Sequence, residues 1–237
     1  MGASYLTSQI SNLKSKYYAI IVAGGSGSRM QSTVPKQFLL LAGMPVLMHT
    51  LNAFKQCSFS PSLILVLPTA YHDYWQQLCA EHNFDLPHQL VSGGDTRFHS
   101  VKNGLNLIHE ETDAVVAVHD AVRPLTDVEI IDHAYTYATE NGNAVVAVKS
   151  RDSVRQVKNN QSMSLLRDEI YLVQTPQTFQ IELLKKAYLQ SFDPMFTDDA
   201  SVVEKTGVAI KITEGNYRNI KITFPEDIAI AELLLKQ

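Results

Sequence analysis

Between Ala23 and Phe38 the chain reads AGGSGSRMQSTVPKQF, with glycines at 24, 25 and 27 followed by Arg29 and Lys36 seven positions apart. A glycine-rich turn lets backbone N–H groups close around phosphate oxygens without side-chain obstruction. Arg29 and Lys36, with Pro35 stiffening the chain between them, can add two positive charges to the same polyphosphate. The structural alternative is a plain strand-to-helix turn. Two better-known phosphate loops are excluded. A Walker loop needs Lys then Ser or Thr after G-x-x-x-x-G, and no such string occurs. The dinucleotide fingerprint has Met30 where its third glycine belongs, and the next apolar run ends in Leu67-Pro68 without a ribose-binding acid.

Three further strings carry chemistry. In SGGDTRFHSV, Ser92 to Val101, the glycines, Asp95 and Ser100 can hydrogen-bond a nucleobase and ribose at a helix start, or Asp95 or Thr96 simply caps that helix. In VHDAVRP, Val118 to Pro124, Asp120 and Arg123 can hold a ribose, a metal or a substrate hydroxyl, or pair with each other to close a turn. In NIKITFPED, Asn219 to Asp227, Lys221 gains a role only if the fold brings it beside Lys36. Neither G-x-S-x-G nor H-E-x-x-H occurs, and the eight histidines show no ligand spacing.

The elements that must position these residues follow from hydrophobic period. Short apolar runs at 17–23, 63–67, 89–91, 114–118, 144–148, 208–212 and 219–222 read as strands. AVVAV at 114–118 and again at 144–148 is apolar at consecutive positions, as expected of parallel strands covered on both faces. Between them, 45–56, 71–83, 97–110, 128–141 and 181–189 have helical period. The alternation predicts a three-layer α/β sandwich with a mainly parallel central sheet. Residues 151–167 break the rhythm, alternating polar and apolar around Asn159-Asn160; they predict a protruding hairpin, either an ordinary surface excursion or a dimerisation arm. The remainder, 16–237, reads as one domain after a polar leader at 1–15.

Composition narrows the partners. With 20 basic against 24 acidic residues the net charge is -4, so no global basic field exists to hold nucleic acid or an anionic membrane. Anionic ligands must be gripped locally. Two cysteines form neither a disulfide framework nor a metal set, and the first apolar run is too short to span a bilayer; a cytoplasmic setting is expected.

Taken in order, AGGSGSRM with PKQF, SGGDTRFHSV, HDAVRP, TPQTF at 175–179, TDDASVVE at 197–204 and NIKITFPED resemble the 2-C-methyl-D-erythritol 4-phosphate cytidylyltransferases of the non-mevalonate isoprenoid pathway. The resemblance spans about residues 17–235. It implies a Rossmann-like nucleotidyltransferase sandwich whose β-arm forms a homodimer and helps complete the neighbouring active site. It further implies that Ala23, Gly24, Gly25, Gly27, Arg29 and Lys36 bind the CTP triphosphate, that Gly94, Asp95 and Ser100 take the cytosine and ribose, and that Ala121 lies near the nucleotide sugar. Asp120, Arg123 and Thr175 match positions facing the alcohol phosphate, Ser153 and Arg167 reach it from the partner's arm, and Lys221 lies between the substrates. Ser153 stands where the family usually has Thr, keeping the hydroxyl. Mg²⁺ or another divalent cation is expected, with ligands unassigned. Two rivals share parts of this reading: transfer to ribitol 5-phosphate or another polyol phosphate, and a nucleotide-binding regulatory module without catalysis. A fusion to the next enzyme of the pathway is not expected, since no chain follows Gln237.

Overall fold

A computed structural model describes residues 16–24, 34–109 and 113–236. The leader expected at 1–15, and with it Gly25, Gly27 and Arg29, lie outside these residues. In chain order the elements are β1 (Tyr17–Val22), a short 3-10 turn (Lys36–Phe38), β2 (Leu40–Leu41), β3 (Met44–Pro45), α1 (Val46–Gln56), β4 (Ser62–Leu67), α2 (His72–Glu81), β5 (Gln89–Ser92), α3 (Arg97–Leu105), β6 (Val115–Asp120), α4 (Val128–Asn141), β7 (Asn143–Lys149), β8 (Arg155–Lys158), β9 (Gln161–Ser164), β10 (Tyr171–Gln180), α5 (Ile181–Ala187), α6 (Asp199–Glu204), β11 (Ile212–Glu214) and α7 (Glu226–Leu235).

Seven strands form the central sheet in the order β11-β7-β10-β6-β1-β4-β5. Every pairing is parallel except the two made by β10. Side chains alternate across it. Ala19, Ile21, Leu63, Leu65, Val115 and Ala117 enter one core with α1, α2 and α4, while Ile20, Val22, Ile64, Val66, Val116 and Val118 enter another with α3, α5 and α6. Two buried faces are the physical reason why these strands read as unbroken apolar runs rather than alternating ones. The expected mainly parallel α/β sandwich is therefore the fold.

Two local expectations need correction, and one strand is new. β10 has no counterpart among the expected strands; Pro176 sits inside its YLVQTPQTFQ, and proline argues against a central strand. A register irregularity between Val173 and Gln177 admits it. The strand expected at 208–212 begins only at Ile212: the Asn143 side chain occupies the backbone of the preceding segment, donating to Ala209 O and accepting from Lys211 N. Residues 219–222 form no sheet strand; that segment is extended, with Ile222 N–H bonded to the Val122 carbonyl. The hairpin, by contrast, appears as read, with Asn159 and Asn160 both at positive φ between β8 and β9.

From β1 the chain moves outward through β4 and β5, then returns to the opposite side of β1 with β6. This reversal opens a crevice at the carboxyl ends of β1 and β6, where α/β sheets gather ligands. Gly24 and Asp120 stand at those ends.

Candidate functional site

The crevice is built by backbone first. Ala23 N–H bonds to Val66 O, Gly93 N–H to Leu67 O and Ala121 N–H to Val22 O, so the strand ends are fastened to one another before any side chain contributes. Ala23 is buried and its carbonyl accepts from Gln37 Nε2 at 3.2 Å, which ties the turn carrying Lys36 to the end of β1. Lys36 is itself largely buried. Just beyond it, Leu39, Leu41 and Val46 share an apolar cluster with Val122, Ile220 and Ile222. The segments that follow Lys36, Asp120 and Asn219 therefore pack into one apolar cluster.

On the other side of Gly24 lies the loop after β5. A Cβ on Gly24 would stand 3.4 Å from Ser100 Oγ, and one on Gly94 would meet the His99 Cβ at 2.5 Å, so Gly94 has no room for a side chain. Ser100 is buried, and its Oγ accepts the Gly94 N–H at 3.0 Å, holding the loop against α3. Thr96 is the helix cap, accepting from His99 N, and Asp95 is left exposed in the loop. Ala121 is fully buried, with its carbonyl taken by Thr50 Oγ1 at 2.9 Å.

Charge concentrates on Asp120. Its Oδ2 lies 2.9 Å from Lys221 Nζ and 3.4 Å from Arg123 Nε, and its Oδ1 lies 3.9 Å from Arg97 Nε. Burial alone would raise the carboxyl, but Lys221, Arg97 and Arg123 outweigh it and hold the group far below the usual carboxylate range. Asp120 is ionised and over-compensated at any ordinary pH. Its backbone N–H donates to Thr175 Oγ1 at 3.1 Å, so the hydroxyl of β10 sits at the tip of β6 with its own proton still to give.

Two residues that the sequence did not mark hold this arrangement. Asn219, completely buried, donates to Thr175 O at 2.9 Å, accepts from Thr126 Oγ1 at 2.9 Å, and offers its carbonyl to Arg123 Nη1 at 2.7 Å. The extended segment leading to Lys221 is thereby pinned two residues before the lysine. The other is Arg97, inside SGGDTRFHSV, a string read through its glycines, Asp95 and Ser100. Its Nη2 reaches Asp199 Oδ2 at 2.6 Å, a contact between residues 102 positions apart that no local pattern announces.

Ser153 and Arg167 lie elsewhere. Both are exposed on the arm, where Arg167 Nε stands 3.8 Å from Asp168. Among the described residues no group of three His, Cys, Asp or Glu side chains converges as a metal cage. The carboxylate at the strand ends, Asp120, already faces three cations. This donor set does not fit a protein-held divalent ion; it fits one carried on substrate phosphates, the habit of Mg²⁺ in nucleotide sites. No helix among the described residues is long and apolar enough to cross a membrane.

Residues 17–237 match the family of 2-C-methyl-D-erythritol 4-phosphate cytidylyltransferases. A protein of that name from Bacteroides thetaiotaomicron is 50% identical over 220 residues, covering 93% of this chain and 100% of its own length. Another from Porphyromonas gingivalis is 46% identical, covering 94% and 99%. Among solved structures, 4-diphosphocytidyl-2C-methyl-D-erythritol synthase from Anaerococcus prevotii superposes with a TM-score of 0.79 at 29% identity, covering 93% of this chain and 96% of that one. The Francisella tularensis cytidylyltransferase gives 0.75 at 31% identity, covering 92% and 98%.

Proposed function

The chain belongs to the 2-C-methyl-D-erythritol 4-phosphate cytidylyltransferase family, and from that premise we propose how its residues divide the work. The enzyme transfers the cytidylyl group of CTP to 2-C-methyl-D-erythritol 4-phosphate, giving 4-diphosphocytidyl-2-C-methyl-D-erythritol and pyrophosphate. A phosphate oxygen of the acceptor attacks the α-phosphorus, the bond from that phosphorus to the bridging oxygen breaks, and pyrophosphate leaves. No general base is needed, because a phosphate monoester is already ionised near neutral pH.

The obstacle is repulsion between two anions, and the residues at the strand ends are suited to remove it. Lys36, with Arg29, neutralises the triphosphate and the charge developing on the α-phosphorus. Gly24, Gly25 and Gly27 close backbone N–H groups on the phosphates, and Gly94, Asp95 and Ser100 receive the nucleoside. Ala23 and Ala121 shape the floor beneath it. Asp120, Arg123 and Thr175 orient the acceptor, and Lys221 draws its phosphate to attack distance. Mg²⁺ or another divalent cation, arriving on the triphosphate, supplies further neutralisation. Residues 16–237 act as one catalytic unit and work as a homodimer, each arm of 151–167 carrying Ser153 and Arg167 to the acceptor bound by its neighbour.

The observation that carries this reading is the single carboxylate Asp120 holding Lys221 and Arg123 together at the end of β6. Its test is pyrophosphate release with CTP, ATP and GTP crossed against methylerythritol phosphate and ribitol phosphate. Release only from CTP with methylerythritol phosphate is expected; faster release with ribitol phosphate would reassign the acceptor, and CTP binding without release would indicate a regulatory module.

A further inference from the structure

One cation of the strand-end cluster has no part in the scheme above. Arg97 opens α3, directly after the glycine loop that follows β5. Its guanidinium is gripped by Asp199, with Nη2 2.6 Å from Oδ2, and stands close enough to Asp120 to act on its charge, with Nε 3.9 Å from Oδ1. Asp199 is completely buried, and its second oxygen accepts the Tyr188 hydroxyl at 2.6 Å. A buried carboxylate is a poor way to gain stability, since an apolar side chain of similar volume commonly does as well.

The support behind Asp199 is rigid. Asp198 and Ser201 form a capping box at the start of α6. Gln177 of β10 accepts the Ala200 N–H at 2.8 Å and donates to Asp198 Oδ2 at 2.9 Å. Asp199 is thus delivered to one side of Arg97 while β6 delivers Asp120 to the other.

The consequence concerns Lys221. Its ammonium stands on Asp120 Oδ2, yet to serve the acceptor it has to pass from that carboxylate to a phosphate dianion. Of the three cations around Asp120, Lys221 has the most freedom: its side chain is 42% exposed, whereas Arg123 is anchored to the Asn219 carbonyl and Arg97 to Asp199. Withdrawing a cation from a buried carboxylate is costly unless the remaining charges keep it compensated. Two guanidiniums that cannot lose their protons do this. We propose that Arg97, clamped by Asp199, which Tyr188 holds in turn, is a positioning residue of the transfer reaction: it keeps the Asp120 carboxylate charge-balanced so that Lys221 can leave it for the acceptor phosphate. The proposal rests on the assignment of Asp120 and Lys221 to the acceptor.

The test is steady-state kinetics with both substrates varied, alongside thermal unfolding, for Arg97→Gln, Arg97→Lys, Asp199→Asn, Tyr188→Phe and the double variant Arg97→Gln/Asp199→Asn, with Lys221→Ala as control. Arg97→Gln should lower kcat by at least about tenfold and raise the acceptor KM, with the CTP KM changed less than about twofold. Arg97→Lys should recover part of the loss. Asp199→Asn should lower kcat by less, and the double variant should be no worse than Arg97→Gln, because Asp199 acts through Arg97. A fall in Tm with unchanged kcat and acceptor KM would make these contacts structural only and overturn the proposal, as would losses that multiply in the double variant or fall on the CTP KM. Should Arg97→Gln fail to fold, Tyr188→Phe and Arg97→Lys carry the test, with kcat about threefold lower expected in each; wild-type kinetics in both would overturn it. A fully active Lys221→Ala enzyme would instead reject the site assignment itself, whereas an inactive one beside an active Arg97→Gln would reject only the role of Arg97.

Discussion

The end of β6 and the arm of β8 and β9 are built on opposite terms. Around Asp120, Thr175 and Arg123 are buried and Arg97 is half-buried, each held by a partner from a distant part of the same chain: Thr175 by Asn219 and Asp120, Arg123 by Asn219, and Arg97 by Asp199. On the arm all eight strand residues are exposed, and the hairpin pairs only with itself. Val157, Met163 and Leu166 present apolar side chains to solvent there. A two-stranded hairpin is marginal unless something covers it. One chain therefore completes the charge cluster but leaves the arm's apolar side chains uncovered, and under the proposed division of work the two regions should fail in different ways when altered.

The largest separation is expected from the two lysines assigned to the substrates. Lys221→Ala and Lys36→Ala should each lower turnover by about 10²–10³, the usual cost of deleting one preorganised donor to developing negative charge. Both should be read as pyrophosphate release from protein whose Tm matches the wild type. Near-normal turnover in either removes that lysine from the reaction. Asp120→Asn attacks the charge cluster from the other sign. It leaves three cations without their shared carboxylate, and a stability loss of about 3 kcal/mol in denaturant unfolding is expected beside the loss of turnover.

The arm should answer more mildly and in trans. Ser153→Ala and Arg167→Ala should raise the acceptor KM about tenfold, leave the CTP KM and Tm unchanged, and spare kcat. Mixing Arg167→Ala chains with Lys221→Ala chains makes the sharper experiment. In a hybrid dimer one site receives an intact strand end from one chain and an intact arm from the other, so random pairing should restore about a quarter of wild-type activity at low acceptor concentration. Failure to recover, with subunit exchange demonstrated, would mean that the arm serves its own chain and that the contrast between the two regions is not one of subunits.

The same contrast decides what could be read in the sequence. Wherever a residue's role depends on local pattern, it was legible. The strands covered on both faces appear as AVVAV runs, and the arm declares itself through Asn159-Asn160. Lys36 and Lys221 are visible in the sequence as cations, but nothing in it shows that the segments beside them, at Leu39–Val46 and at Ile220 and Ile222, share an apolar cluster. Asn219 and Asp199 were not legible as site residues. Each acts by reaching backbone or side chains many positions away, and an asparagine before a strand-like run or an aspartate at a helix start has an ordinary local explanation. β10 was hidden for a related reason: its proline is tolerated by a bulge that pairing partners create and the string itself does not announce.

The smallest expected effect lies beside Asp120. His119 is completely buried, with Nε2 3.3 Å from Thr126 Oγ1, its ring edge-on to Phe54 at 4.9 Å, and Nδ1 without a hydrogen-bond partner among the described residues. Burial pushes it down to about 3. The unfolded chain takes up this proton near pH 6.5 while the fold refuses it, so the unfolded state binds more protons and stability falls as pH drops from about 6.5 towards 3. Each such proton contributes a slope of up to about 1.4 kcal/mol per pH unit. His88, also lowered by burial while accepting the Trp75 indole N–H at 2.9 Å, adds in the same direction. Asp120, also depressed in the fold, acts with the same sign but only below about pH 4, because the unfolded carboxyl takes up its proton only near 3.8. Denaturant unfolding at pH 7, 6 and 5 should therefore show a slope that His119→Gln reduces by one proton, whatever that variant costs at pH 7. Arg167→Ala should keep the full wild-type slope. An unchanged slope in His119→Gln would place the acid sensitivity outside the strand-end region, and the claim that this region, unlike the arm, is built from groups withdrawn from water would lose its thermodynamic support.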